Sequence, residues 1–172
     1  MPKLIKDRTI VDDHWTLVKE ANNAAILMAL PGRDLIVPLQ FWRLFQTEIQ
    51  SHSGQVGVWL NSDEVAQAIG DDLHRLPVIA LNFPAFADGR PYTTARELRE
   101  SLGYKGEIRA IGDVLRDQLY YMHRCGFSTF APRQDQDLEE CLTAFSDFKT
   151  GYQASPDQPL PLYRRRQLTG PV

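Results

Sequence analysis

The sequence predicts an α/β protein in which a mainly parallel sheet is flanked by helices. Short, continuous apolar runs rich in β-branched residues, typical of strands buried on both faces, alternate with amphipathic helical patterns. The alternation is clearest between Val78 and Arg133, where single helices separate three strands. Single helices between strands imply parallel pairing through right-handed crossovers. The sheet is expected to be either an open sheet covered on both faces or a partial barrel.

Five apolar runs from residue 35 onward have the length and composition of strands. The predicted strands are Leu35–Val37, Val56–Leu60, Val78–Pro84, Glu107–Gly112 and Ser128–Ala131. Segments with helical periodicity lie between these strands and after the last one. The predicted helices are 39–52, 62–76, 93–102, 114–125 and 138–148. These βα units define the main part of the fold.

The two ends of the chain differ from this pattern. Residues 1–34 alternate short apolar and polar runs, with Asp12-Asp13 and Asn22-Asn23 at turn positions, which predicts a small antiparallel meander. Residues 154–172 contain four prolines and no periodicity, which predicts an extended tail. We therefore expect one α/β domain over residues 1–153, with the meander at 1–34, the βα units at 35–153 and the tail beyond.

Composition limits the classes of protein to which the chain can belong. It has 172 residues, 43% of them hydrophobic and 24% charged, as expected for a globular domain. The formal net charge of -3 gives no reason to expect nucleic acid or an anionic membrane as a partner. The sequence shows no membrane-length apolar run and no signal-peptide pattern at its start. With only Cys125 and Cys141, a disulfide framework is not expected. We predict a cytoplasmic protein.

The carboxyl ends of the predicted strands are where a ligand would bind. In parallel sheets these ends bring loops and helix N-termini together at one edge. The candidate residues for an anion- or ligand-binding site there are Asp88, Arg90, Tyr92, Asp113, Arg116 and Arg133. Guanidinium groups bind phosphate, sulfate and carboxylate through paired hydrogen bonds. The sequence therefore suggests an oxyanion site formed by the three arginines.

The same residues have a purely structural interpretation. Asp88 suits a turn, and Asp113 suits the cap of the helix that follows it. Each arginine would then pair with a nearby carboxylate rather than with a ligand, because structural ion pairs also gather at such edges. Both interpretations stay open on the sequence alone.

Other chemistry has little support in the sequence. The four histidines are scattered without ligand spacing, so no metal site is predicted. Neither a phosphate-binding loop nor a dinucleotide-binding or nucleophile-elbow motif occurs. In the tail, Arg164-Arg-Arg166 follows a run of prolines and apolar residues, a combination that suits docking on an acidic partner surface. A solvated tail is the alternative.

Several short motifs occur in order along the chain. They are Phe83-Pro84-x-Phe86, Asp88-Gly-Arg90, Ala95-Arg96-Glu-Leu-Arg99, Gly103-Tyr-Lys-Gly106, Arg109-Ala-Ile-Gly-Asp-Val114, Arg116-Asp117-Gln118, Cys125-Gly-Phe127 and Tyr152-Gln153. Together they resemble the bacterial family known as domain of unknown function 934, over about residues 35–153.

The resemblance implies a function that the residues do not show by themselves. Members of the family are often encoded beside assimilatory sulfite reductase and are commonly labelled oxidoreductases, without established catalytic residues. The expectation is an accessory protein of sulfite reduction whose partner is sulfite reductase or another sulfur-assimilation protein. The alternative is a flavin- or nicotinamide-linked oxidoreductase that uses the carboxyl edge of the sheet. The sequence identifies neither catalytic residues nor a cofactor, and it leaves open whether the protein is an enzyme.

Overall fold

The structure, a computed structural model, describes residues 2–20, 23–148 and 150–169. One eight-stranded sheet runs through this part of the chain in the order β2-β1-β8-β7-β6-β5-β4-β3. The strands are β1 (Lys3–Lys6), β2 (Thr9–Asp12), β3 (Trp15–Leu17), β4 (Asp34–Pro38), β5 (Val56–Leu60), β6 (Val78–Phe83), β7 (Glu107–Gly112) and β8 (Thr129–Phe130).

The sheet is mixed, so the prediction of a mainly parallel sheet is corrected. Neighbouring strands from β3 to β8 pair parallel and in chain order. β1 pairs antiparallel with β8, and β2 pairs antiparallel with β1. The α/β class is confirmed, and β5, β6 and β7 have the parallel pairing that the alternation of strands and helices predicts. The antiparallel part comes from the N-terminal strands, which join the sheet beside its last strand.

The helices cover one face of the sheet. They are α1 (Ala25–Ala29), α2 (Leu39–Leu44), α3 (Gln46–Gln50), α4 (Arg90–Arg96), α5 (Leu119–Cys125), α6 (Leu138–Thr143) and α7 (Leu162–Thr169). Two hydrophobic clusters join strand residues to helix residues, whereas the third cluster contains residues of strands and of the segment just after β8. Crossovers of one hand between strands in chain order place successive helices on the same side.

The sheet is open but strongly curled. Only Asp13 and His14 separate β2 from β3, which form its opposite edges. A flat sheet of eight strands would be about 34 Å wide, whereas three Cα–Cα steps span at most about 11 Å. The edges therefore approach one another, and the face without helices is concave.

A chain of ion pairs holds the link between β2 and β3 on the concave face. Arg109 of β7 is buried and contacts Asp13 at 2.9 Å and Glu107 at 2.9 Å. Lys6 contacts the other carboxylate oxygen of Glu107 at 2.6 Å. Burial raises the pKa of Glu107, but the pairs with Lys6 and Arg109 outweigh it, so the pKa lies below its ordinary value.

The predicted meander over residues 1–34 is wrong beyond β2. β1 and β2 form a hairpin whose turn residues, Asp7 and Arg8, both have positive φ, as a primed hairpin turn requires. β3 instead lies at the far edge of the sheet, parallel to β4. Between β3 and β4 the run Ala-Ile-Leu-Met-Ala forms α1, because these residues favour a helix more than a strand. Asn22 of the predicted second turn lies outside the described residues.

Several predicted helices have different bounds. The predicted helix 39–52 is divided into α2 and α3 at Phe45, whose φ of -121° is not helical. The region 62–76 forms 3₁₀ turns over Ala66–Arg75, interrupted by Gly70 at φ 75°. α4 begins at Arg90, earlier than predicted, because Pro91 suits the first turn of a helix.

The predicted extended tail contains a helix. α7 covers Leu162–Thr169, and the carbonyl of Pro161 accepts hydrogen bonds from the N–H groups of Arg164 and Arg165. Its leucines, arginines and glutamine have good helix propensity. The hydrophobic period that would reveal it is absent, because this helix is mostly exposed. Residues 170–172 lie outside the described part.

Candidate functional site

The loops that follow β6 and β7 meet at the carboxyl edge of the sheet. Asp113, immediately after β7, accepts a hydrogen bond from the backbone N–H of Phe86 at 2.8 Å. Gln118 donates to the carbonyl of the same Phe86 at 3.4 Å. Both bonds attach the loop after β6 to the segment after β7. Asp113 is therefore a loop clamp and not the helix cap that the sequence suggests.

Gly112 allows this close approach. Its φ is 93°, and a Cβ at this position would collide with the carbonyl oxygen of Phe83 and the side chain of Asn82. With no side chain in the way, the N–H of Asp113 donates to the carbonyl of Phe83 at 2.8 Å. The ends of β6 and β7 are thus held side by side.

Asp88 and Arg90 form the first charged pair of the edge. Nε of Arg90 contacts Oδ1 of Asp88 at 2.9 Å, and Nη2 contacts Oδ2 at 2.6 Å. Nη2 also donates to the hydroxyl of Ser62, after β5, at 2.8 Å. The hydrogen bonds from Arg90, and then that from Ser62, hold the pKa of Asp88 well below its usual range. This pair connects the ends of β5 and β6.

Arg133 forms the second charged group of the edge. Its Nε and Nη2 each contact one carboxylate oxygen of Asp135 at 2.7 Å. Its Nη1 contacts Oδ1 of Asp113 at 2.9 Å. Hydrogen bonds from its side chain to Asp135 are the main cause of a raised pKa for the guanidinium. Through Asp113, Arg133 belongs to the same cluster as the clamp on Phe86.

Arg116 does not share these contacts. It lies in a 3₁₀ turn, Arg116–Gln118, and its Nη1 and Nη2 contact the two carboxylate oxygens of Asp147 at 3.0 Å each. Nη2 also donates to the hydroxyl of Thr143 at 2.8 Å. The side chain is therefore engaged with the segment that follows α6. Of the three arginines, Arg133 contacts Asp113, and Arg90 contacts Asp88 in the loop that Asp113 holds.

Tyr92 faces inward from the same edge. Its ring lies 5.1 Å from the ring of Phe83 and 5.0 Å from that of Tyr121, measured between centroids. Burial raises the pKa of Tyr92 to about 12. The residue is part of an aromatic series that leads from the core to the surface of α5.

The contacts of the edge agree with the structural interpretation of its charges. Two guanidinium groups, Arg90 and Arg133, are surrounded by three carboxylates, Asp88, Asp113 and Asp135. An oxyanion at this edge would compete with these carboxylates for the two arginines. The anion-binding role stays a prediction.

The structure also contains a pocket that the sequence does not predict. It has a volume of about 430 Å³ and lies between α4, α5 and the segment that precedes α7. The residues lining it include Arg96, Tyr121, Cys125, Phe148 and Tyr152. The sequence feature that points to it is the pair Tyr120-Tyr121 on an amphipathic helix. The sequence alone does not show whether these rings line a pocket or pack in the core.

The part of the chain that the structure describes contains neither a metal-binding cluster nor a membrane-spanning helix. Within 2–20, 23–148 and 150–169, no group of three or more histidine, cysteine, aspartate or glutamate side chains could hold a metal ion. In that same part of the chain, no helix is both long and apolar enough to cross a membrane.

The fold and the edge define an α/β protein with a curled mixed sheet, helices on one face and a clamped loop at the carboxyl ends of its parallel strands. The chain belongs to the family described as bacterial protein of unknown function (DUF934), whose match covers residues 57–163. That range begins in β5 and ends in α7, so it includes both the carboxyl edge and the pocket. No curated protein matches the chain.

Proposed function

We propose that this protein is an accessory protein of assimilatory sulfite reduction that binds sulfite reductase or a companion protein. The assignment to that pathway rests on the resemblance described above, which implies a gene position beside the reductase. The structural observation that supports a partner role is the exposed, basic surface of α7.

α7 combines the features of a docking helix for an acidic surface. Tyr163 and Leu168 are 62% and 75% exposed, although both are large and apolar. The guanidinium of Arg164 lies 5.9 Å from the centre of the Tyr163 ring. Aromatic and arginine side chains are enriched at protein interfaces.

The charge of this region contrasts with that of the chain. Residues 148–169 contain four basic residues and one acidic residue, whereas the chain as a whole has 19 basic and 22 acidic residues. Opposite charge on a partner would guide encounter and orientation. The proposed partner surface is therefore acidic, with an apolar centre that receives Tyr163 and Leu168.

Affinity purification tests the proposal. We expect the tagged protein to retain sulfite reductase from the native cell, and the double variant Tyr163→Ala/Arg164→Glu to lose it. Arg75→Glu is the matched control, because Arg75 is an exposed arginine on the 3₁₀ segment between β5 and β6. The proposal is abandoned if the wild type never retains the reductase and a deletion strain grows normally on sulfate.

The competing hypothesis is a flavin- or nicotinamide-linked oxidoreductase. A visible spectrum of the purified protein separates the two, since a bound flavin absorbs at about 450 nm. A stoichiometric band there, together with turnover of a sulfur substrate, would replace the accessory role by an enzymatic one.

A further inference from the structure

We propose that the pocket between α4, α5 and the segment before α7 binds a planar aromatic ligand that carries an anionic group, such as a carboxylate, sulfonate or phosphate. This inference is independent of the partner role of α7. It rests on the shape of the pocket, on its aromatic walls and on the sign of its charge.

The pocket has the size and construction of a small-molecule site. Its volume of about 430 Å³ falls within the range typical of ligand pockets. Arg124 fixes one wall, because its buried guanidinium donates to the carbonyl of Gln153 and contacts Asp157 at 3.3 Å. The segment before α7 is thereby held over α5, and the pocket is the space left between them.

Aromatic rings line the pocket and are partly open to solvent. Tyr121 of α5 is 55% exposed, and Tyr152 on the opposite wall is 76% exposed. The ring of Tyr120 lies 4.9 Å from that of Phe148, measured between centroids. Flat ligand rings stack on such side chains. A ligand ring in the pocket would therefore cover aromatic side chains that are otherwise exposed to solvent.

The charge of the lining favours an anion. Among the described lining residues, two are arginines, Arg96 and Arg124, and none is an aspartate or glutamate. Burial raises the pKa of the Cys125 thiol, so this group adds no negative charge at neutral pH. The lining therefore presents guanidinium groups to the pocket, whereas the carboxylates that pair with them, Glu100 and Asp157, lie outside it.

Arg96 is the residue that can bind the anionic group. Its Nη2 contacts Glu100 at 3.0 Å, and its side chain is 43% exposed. Within the described residues, the other N–H groups of this guanidinium have no hydrogen-bond partner. Arg124, in contrast, is already bonded to the segment over the pocket. The proposed division of roles is that Arg96 binds the anion and Tyr121 stacks on the ring.

Calorimetric titration with matched probes tests the proposal. The probes are AMP, FMN and naphthalene-2-sulfonate, each beside its uncharged counterpart, adenosine, riboflavin and 2-naphthol. We expect at least one charged probe to bind with a Kd below about 1 mM and its counterpart to bind about tenfold more weakly. If every charged probe binds no better than its counterpart, the proposal is overturned.

Substitutions of lining residues test whether the probes bind in this pocket. Arg96→Gln should weaken the charged probe about tenfold and leave the uncharged one unchanged, whereas Tyr121→Leu should weaken both. The matched control is Arg75→Gln, which removes an exposed arginine that also pairs with a nearby carboxylate on its own segment. Equal affinity of Arg96→Gln and Arg75→Gln for the charged probe would show that binding occurs elsewhere. Unchanged thermal unfolding of each variant confirms that it folds.

Discussion

Gly151 lies directly against the guanidinium of Arg124, with no room for a Cβ between them. Arg124 reaches the carbonyl of Gln153 and the carboxylate of Asp157 from this position. Arg165 of α7 donates to the carbonyl of the same Gly151. One glycine therefore allows a side chain of α5 to hold the whole segment that leads into α7.

We expect Gly151→Ala to release this segment, because the added methyl group forces the Arg124 guanidinium away from its partners. Trypsin should then cleave after Arg164 and Arg166 faster than in the wild type, as followed by mass spectrometry. Gly89→Ala is the control, since no described residue other than its two chain neighbours lies within 4 Å of a Cβ at that position. Equal cleavage rates in the two variants would mean that Arg124 does not hold the segment.

Removing the clamp at the carboxyl edge should destabilise the fold. Asp113→Ala deprives the N–H of Phe86 and Nη1 of Arg133 of an acceptor, at a cost of about 1–2 kcal/mol. Asp113→Asn should cost less, because an amide oxygen still accepts from Phe86. Urea unfolding measures both changes as a lower midpoint at an unchanged slope. The exposed control Asp71→Ala should stay within about 0.5 kcal/mol of the wild type, and an equal loss there would argue against the clamp.

The pair between Asp88 and Arg90 gives a pH dependence of stability. Hydrogen bonds from Arg90, and then Ser62, hold the pKa of Asp88 below its ordinary value of 3.8. A carboxyl with a lowered folded-state pKa stabilises the protein above its unfolded pKa and loses that contribution as the pH falls through its folded pKa. The Tm difference between wild type and Asp88→Asn should thus be constant down to about pH 5 and shrink below about pH 4. A difference that persists unchanged at about pH 2 would contradict this assignment.

Sulfate tests the anion hypothesis for the edge. An oxyanion bound to Arg133 takes the place of Asp135, so sulfate should raise the Tm of the wild type and raise that of Asp135→Asn further. The double variant Arg90→Ala/Arg133→Ala should show no rise. Equal rises in all three proteins would leave the arginines with a structural role alone.

The strands that the sequence predicts best are those buried on both faces. β5 and β7 have the predicted bounds, because a short apolar run bounded by turn residues is a local signal that needs no knowledge of its neighbours. The position of β3 has no such signal. It depends on contacts such as that between Asp13 and Arg109, which are 96 residues apart.

For the site residues too, the sequence predicts their place in the fold but not their contacts. Sequence position correctly places Asp88, Arg90, Asp113 and Arg133 after their strands, because parallel strands end at one edge. It does not show which carboxylate each arginine contacts, since a long side chain can reach several partners. Arg116 is the example: it follows β7 but turns toward Asp147, 31 residues further along the chain.

The pairing of β1 with β8 has a consequence for how the protein is made. Ile5 lies opposite Phe130, so β1 can pair with β8 only after the sequence between them, which holds every other strand of the sheet, has been synthesised. At about 5–20 residues per second, that interval lasts roughly 6–25 s. A two-stranded hairpin is marginal on its own, and Leu4 and Ile5, which are buried in the finished protein, stay exposed meanwhile. β1 and β2 can therefore join the other six strands only after all of those have been synthesised.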